Sequence, residues 1–290
     1  MGSRPVANRA KYMLRFLPDK AYIRLYYRAK FHRRCDLKHP ETYNEKLNWL
    51  KLYDHRPEYS RMVDKYESKQ YVADLIGEEY IVPTLGVWDT FDEIDFDALP
   101  QQFVLKCTHD SAGLAIVRDK DSFDRAAARE NLTKSLKTNF YYSSREWPYK
   151  TVKPRILAEQ YMEDSRFGEL RDYKFFCFDG EPKVMYVVSG RLEHKTTLDY
   201  FDLDFHHLDI RQNYPNTSKK LEQPESFEQM KQLAHELSKG YPHIRVDFYE
   251  VNGAPYFGEL TLYTFGGLEP FHPDRWDRVF GDWLVLPDKN

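Results

Sequence analysis

The sequence predicts an α+β fold with antiparallel sheets, and three observations predict it. The first part of the chain reads as amphipathic helices. The later part carries two turn pairs between strand-like runs, Asp179-Gly180 and Asn252-Gly253, which are strong hairpin signals. One crossover helix lies between these regions. Helices first and hairpins after favour segregated α+β packing over alternating βαβ units.

In chain order, residues 8–31 read as helical: Leu14, Leu17, Ile23, Leu25, Tyr26 and Phe31 are interleaved with Arg and Lys, and Pro18 interrupts them. Residues 41–53 place Leu47, Leu50 and Tyr53 on one stripe, and Thr42 with Glu45 has the form of a capping box. Residues 60–76 predict one more amphipathic helix, ended by Gly77. Ile81-Val82-Pro83 predicts a short strand closed by proline, and 91–100 a polar connector. A buried strand over 103–106, a loop of small polar residues over 108–113 and a second strand over 114–117 follow. Residues 122–137 are the crossover helix, and Pro154 opens a strand over 155–161. Strands 173–178 and 182–189 form the first hairpin, residues 226–239 a helix, and strands 244–249 and 256–261 the second hairpin.

Composition narrows the classes. The net charge of −3 offers no basic excess for nucleic acid. Residues 1–34 nevertheless hold ten Lys/Arg against one acid, Asp19. That region reads either as a solvated basic lobe or as a docking surface for an anionic membrane or a membrane-bound complex. The 16% of aromatic residues suits either core packing or a cleft that stacks flat ligands. Cys35, Cys107 and Cys177 are odd in number and lack CxxC spacing, which argues against a disulfide framework or zinc and fits a reducing cytosol. No run of 18 apolar residues occurs, the start lacks a signal-peptide layout, and Val6 does not suit myristoylation. The expectation is a cytoplasmic protein, peripheral at the inner face of the membrane through its basic start.

Five features carry chemistry. Lys106 leaves a buried strand beside the 108–113 loop, so an ammonium and the backbone N–H groups of His109, Ser111 and Gly113 can meet phosphate together. Gly113 permits close approach. No GxxxxGK[ST] or GxGxxG pattern occurs, which removes Walker and Rossmann readings. Glu159 ends an apolar strand where it can accept from a purine amino group, and Gln160, Tyr161 and Met162 offer backbone to the ring edge. Lys174 opens a strand facing the same region. Arg245 and Asp247 share one strand face, as do Glu259 and Thr261 on the partner strand. Asp247 and Glu259 come roughly opposite each other, and opposed buried carboxylates call for a neutralising divalent cation such as Mg²⁺.

These residues, with Asp64-Lys65 and Pro83, resemble the ATP-grasp superfamily. The stretches LPDKAYIRLYYRAKF, ETYNEKLNWLKLYD, FVLKCTHDSAG, REWPYKTVKPRILAEQYMED, RDYKFFCFDG and RVDFYEVNGAPYFGELT resemble more closely the TupA-like ATP-grasp family, associated with teichuronopeptide and other bacterial surface polysaccharides. The resemblance implies an ATP-grasp fold of two α+β lobes gripping ATP. It divides the chain into a basic helical region (1–60), a preceding segment (61–100), a small lobe with the phosphate loop (101–162) and a C-terminal lobe with the metal site (163–290). It implies ATP and Mg²⁺ as cofactors. Lys65, Lys106 and Lys174 would reach phosphate, Glu159 through Met162 would hold adenine, and Arg245 would stabilise the acyl-phosphate. Asp247, Glu259 and Thr261 would ligate metal, Thr261 standing where such ligases commonly carry Asn. The expected activity is amide formation between a small-molecule carboxylate, a uronic acid of a polysaccharide precursor, and an amino acid or amino alcohol. Two alternatives remain: a glycosyltransferase using Asp202-Leu203-Asp204 as a DxD motif, and a sugar kinase or non-catalytic ATP-binding module. HRD and DFG motifs are absent, against a protein kinase.

Overall fold

Pro18 opens a helix instead of interrupting one. In the computed structural model, which describes residues 14–191 and 195–289, α1 spans Asp19–Phe31 with Pro18 at its N-cap, where a missing N–H costs the helix nothing. Residues 14–17 form a turn, and 8–13 lie outside the described residues. α2, Tyr43–Tyr53, has the capping box: Glu45 N–H donates to Thr42 Oγ1 at 3.4 Å, and Thr42 N–H donates to Glu45 Oε2 at 3.3 Å.

The single helix expected over 60–76 is two, α3 (Tyr59–Val63) and α4 (Glu67–Ile76). Asp64 breaks it. Its Oδ1 accepts from the N–H groups of Tyr66 (2.8 Å) and Glu67 (3.1 Å), and Arg155 holds its Oδ2 at 3.1 Å. A short acidic side chain competes with the helix for those N–H groups. The break lets Lys65 N–H donate to the Thr108 carbonyl at 3.0 Å.

The strand expected at Ile81-Val82-Pro83 lies on the other side of the proline. Ile81 makes an isolated bridge to Phe257, and β1 spans Thr84–Trp88. Pro83 cannot donate to a ladder, but its carbonyl accepts from Gln160 N–H at 3.0 Å and so sets the start of pairing. β2 (Phe103–Cys107), β3 (Leu114–Val117) and β4 (Ile156–Gln160) complete an antiparallel sheet of order β1-β4-β2-β3. Helix α5, Arg125–Leu136, covers the face carrying Phe103, Leu105 and Cys107. The opposite face carries Val104, Lys106 and Glu159.

The second sheet joins β5 (Asp172–Phe178), β6 (Glu181–Ser189), β7 (Thr197–Phe201), β8 (His207–Leu208), β9 (His243–Val251) and β10 (Ala254–Thr261) in the order β10-β9-β5-β6-β7-β8. Both expected hairpins are there, with Asn252 (φ 52) and Gly253 (φ 81) taking the left-handed turn. Helix α6 is Tyr141–Ser144, α7 Phe227–Ser238 and α8 Arg275–Trp283. The aromatic surplus is largely spent in the core of this sheet: Tyr43, Phe176, Phe178 and Phe271 surround Phe280, with Phe176 at 5.3 Å and Tyr43 at 5.5 Å edge-on. The three cysteines are buried and free.

The N-terminal helices belong to this larger core. The Asn44 N–H and Nδ2 both donate to Asp277 Oδ1, at 2.9 and 2.8 Å. Gly281 approaches so closely that a Cβ there would meet the Glu41 carbonyl at 2.3 Å.

Candidate active site

Four residues stand in one row across the second sheet. Tyr186 on β6 pairs with Lys174 on β5, Lys174 with Asp247 on β9, and Asp247 with Glu259 on β10. The next row carries Phe176, Arg245 and Thr261. The alignment depends on a bulge between Phe257 and Glu259. Regular pairing from the turn would set Gly258 opposite Asp247 and leave Glu259 on the face of Phe257. The extra residue puts Glu259 on the face of Asp247.

The carboxylates are neutralised within the chain. Lys174 Nζ bonds Asp247 Oδ2 and lies 3.1 Å from Asp172 Oδ1 and 3.9 Å from Glu259 Oε1. Arg245 Nε donates to Asp247 Oδ1 at 2.7 Å. Its Nη2 lies 2.6 Å from Asp247 Oδ2, 3.1 Å from Glu259 Oε1 and 2.9 Å from Thr261 Oγ1. A divalent cation is therefore not needed to relieve their repulsion, contrary to the expectation from spacing. Burial pushes the Glu259 carboxyl up, but Lys174, Lys65 and Arg245 outweigh it and hold the group well below the ordinary carboxylate range. Asp247, Glu259 and Thr261 still form an all-oxygen set of the kind Mg²⁺ takes. Glu259 is its open member, with a side chain 39% exposed against 1% for Asp247.

The first sheet supplies the facing wall. Glu159 Oε1 meets Lys69 at 2.6 Å and Oε2 meets Lys106 at 2.5 Å. Burial would raise the Glu159 carboxyl, but Lys106 and Lys69 draw it down to about 2. Lys69 falls below its ordinary value because burial outweighs Glu159, whereas burial of Lys106 is overcome by Glu159, so Lys106 is the firmer counter-ion. Each Glu159 oxygen already serves a lysine where the sequence suggested an acceptor for a purine amino group. Between the sheets lies a cleft of about 840 Å³, open solvent at its mouth included. Val82, Val104, Leu114 and Ile116 form its apolar part, Gln160, Tyr161 and Met162 also line it, and Lys106, Asp172 and Arg191 are on its polar side. Leu114 and Ile116 are 44% and 49% exposed, uncovered aliphatics that face this space.

The 108–113 loop is built differently from expectation. Asp110 Oδ1 accepts from Ala112 N–H (3.2 Å) and Gly113 N–H (3.1 Å), so those two donors are engaged within the loop. Asp110 Oδ2 accepts from Ser135 Oγ. The His109 ring packs inward, where its Nε2 reaches the carbonyls of Ser135 (3.1 Å) and Thr138 (3.0 Å) at the end of α5. A Cβ on Gly113 would meet Cys107 Sγ at 2.4 Å and Ser135 Oγ at 2.7 Å. Its smallness lets the loop pack against Cys107 and Ser135. Ser111 is exposed, and Lys65 Nζ holds the loop through the Asp110 carbonyl at 2.5 Å.

Sequence reasoning missed Lys69, Asp172 and Arg191. Lys69 lies four residues after Lys65, and Asp172 two before Lys174 on the same strand face, so both were within reach of periodicity. Arg191 Nη2 binds Asp172 Oδ2 at 2.7 Å across a distance that only folding closes. The Asp202-Leu203-Asp204 motif is a turn: Asp202 Oδ1 accepts from Asp204 N–H (3.0 Å) and His206 N–H (2.8 Å) between β7 and β8, strands at the sheet edge away from Asp247.

Two facing antiparallel sheets with a charged cleft between them are the layout of an ATP-grasp protein. The profile of the TupA-like ATP-grasp family matches residues 45–285, and the chain belongs to that family. A search of curated proteins finds no match. Among solved structures, D-alanine–D-alanine ligase from Bacillus anthracis complexed with ATP is 18% identical, with 70% of this chain and 54% of that one covered and a TM-score of 0.40. The D-alanine–D-alanine ligase from Helicobacter pylori is 16% identical over 78% and 61%, with a TM-score of 0.40. The RimK domain ATP-grasp protein from Sphaerobacter thermophilus is 12% identical over 80% and 70%, with a TM-score of 0.43. The chain thus spans 54% and 61% of the two D-alanine–D-alanine ligases. Likenesses this distant say nothing of its substrates.

Proposed function

We propose that this protein is an ATP-dependent carboxylate–amine ligase. The observation that carries the reading is the make-up of the cleft: exposed Leu114 and Ile116 on its apolar part, Lys106, Asp172 and Arg191 on its polar part, and Asp172 tied by Lys174 at 3.1 Å to the row that holds Asp247 and Glu259. An apolar part beside a charged part suits a flat base joined to a polyphosphate. The cations Lys65, Lys69, Lys106, Lys174, Arg191 and Arg245 outnumber Glu159, Asp172, Asp247 and Glu259 by two. An anionic ligand matches that excess.

In this reading a substrate carboxylate oxygen attacks the γ-phosphorus, the bond to the β-phosphate oxygen breaks and ADP leaves. The amine nitrogen then attacks the acyl carbon, the carbon–oxygen bond to phosphate breaks, and the amine proton is lost to solvent or to the phosphate. Lys106 and Lys174 orient the phosphates, and Arg245 faces the developing negative charge. Asp247, Glu259 and Thr261 would hold Mg²⁺, which supplies charge neutralisation at the phosphates. The Lys65-tethered loop would keep water from the acyl-phosphate.

For the substrates we propose a uronic acid of a polysaccharide precursor and an amino acid or amino alcohol, motivated by the family rather than by one side chain. The exposed basic stripe of Lys20, Arg24 and Arg28 on α1 supports peripheral contact with an anionic membrane surface. Among the described residues no helix is long and apolar enough to cross a membrane. The test is Mg²⁺-dependent ADP release with panels of uronates and amines. Release that needs both partners and disappears in Glu259→Ala supports the ligase. Release that needs only a hydroxyl compound would make the protein a kinase.

A further inference from the structure

The three oxygens proposed as metal ligands converge on a point already held by a cation of the chain. Arg245 Nη2 lies 2.6 Å from Asp247 Oδ2, 3.1 Å from Glu259 Oε1 and 2.9 Å from Thr261 Oγ1. The rest of the guanidinium is also fastened: Nε to Asp247 Oδ1 at 2.7 Å and Nη1 to Thr264 Oγ1 at 3.5 Å, with the group 5.6 Å from the Tyr186 ring centroid. Mg²⁺ would sit about 2.1 Å from each oxygen it binds. Two cations cannot share that point.

We infer that Arg245 is a positioning residue that stands in for the metal while the cleft is empty. It keeps Asp247, Glu259 and Thr261 gathered and balances the charge of the two carboxylates, and leaves them when a phosphate offers its fork a better partner. Metal then loads with the nucleotide and not before it. The inference rests on the ligase reading for its metal ligands, but its physical basis is the geometry of one nitrogen and three oxygens. Lys174 alone would not replace Arg245, because it reaches Glu259 only at 3.9 Å. Without the guanidinium, Glu259 and Thr261 lose their nearest cation and the vacated point becomes attractive to a free divalent ion.

The experiment is calorimetric titration of the nucleotide-free full chain with Mn²⁺. Wild type is compared with Arg245→Gln, Arg245→Lys and the double variant Arg245→Gln/Glu259→Gln. Arg245→Gln should bind Mn²⁺ roughly tenfold or more tighter than wild type, because a repelling charge has gone. Arg245→Lys keeps the charge but cannot fork onto Asp247 while spanning the other oxygens, so its affinity should fall between the two. It carries the test if Arg245→Gln does not fold. The double variant should lose the gained affinity. Equal Mn²⁺ affinity in wild type and Arg245→Lys or Arg245→Gln overturns the inference, and so does a gain that survives loss of Glu259. ADP release by wild type is read separately: if it is present while Mn²⁺ affinities are equal, the ligase stands and the stand-in role falls. If ADP release is absent while the affinities differ as expected, the ligase reading falls and the cation exchange stands.

Discussion

Glu259 faces Asp247 across the β9–β10 ladder because Gly258 is an extra residue in β10. A bulge bends its strand and re-aims the side chain that follows, here bringing a half-exposed carboxylate beside a fully buried one. The position is also tight. A Cβ on Gly258 would lie 3.1 Å from the Asp247 carbonyl and 3.3 Å from the Tyr249 ring.

Gly258→Val should therefore cost about 1–3 kcal/mol of stability by overpacking. It should also reduce ADP release far more than the small unfolded fraction explains. Denaturant unfolding and turnover on the same sample separate the two effects. Unchanged turnover would mean that the bulge does not position Glu259 for chemistry.

The Lys69–Glu159–Lys106 cluster predicts a second result. Glu159→Gln leaves two ammonium groups on one uncharged amide, and breaking a buried ion pair costs about 3–5 kcal/mol. Lys106→Met leaves Lys69 on Glu159 and should spare the fold better, while weakening a non-hydrolysable ATP analogue by roughly tenfold or more. The folded pKa of Glu159 lies at about 2, below its ordinary 4.5, so its contribution is complete above 4.5 and is lost as pH falls towards 2. Urea unfolding between pH 5 and 3 should show wild type losing stability faster than Glu159→Gln.

Tyr43 and His243 give a third. His243 Nδ1 lies 2.9 Å from the Cys177 carbonyl and so carries the proton, which leaves Nε2 to accept from the Tyr43 hydroxyl at 2.8 Å. Burial pulls the imidazole down to about 3 from 6.5. The unfolded chain takes up a proton near pH 6.5 that the folded chain refuses until about 3, so stability falls as pH drops through that window. The limiting slope for one proton is about 1.4 kcal/mol per pH unit. His243→Gln should flatten the profile between pH 7 and 5, and Tyr43→Phe should cost about 1–3 kcal/mol by orphaning Nε2. A profile unchanged by His243→Gln would show that other groups set it.

Gly113→Ala is the fourth test. The added methyl group meets Cys107 and Ser135 inside the fold, so stability should fall by about 1–3 kcal/mol without any nucleotide present. Full stability with weakened nucleotide binding would assign Gly113 to ligand approach and not to packing.

Much of the fold was legible because local chemistry decided it. The capping box at Thr42 and Glu45, the turns at Asp179-Gly180 and Asn252-Gly253, and the β2–loop–β3 unit each depend on residues close in the chain. The errors have the same origin. Residues 60–76 read as one helix, although the Asp64 side chain accepts from the N–H groups of Tyr66 and Glu67 and parts it in two, and Pro83 reads as a strand end although it precedes a strand.

The sequence by itself determined that this is an α+β chain with two hairpins, and which charged residues share a strand face, because a period of two and a tight turn are local properties. Its long motifs also carried the family. The tertiary structure alone decided which charge meets which: Lys69 and Lys106 on Glu159, Arg191 on Asp172, and Arg245 on three oxygens at once. Ion pairs are set by distances of a few ångströms between separate strands and helices, and one bulged residue is enough to change them.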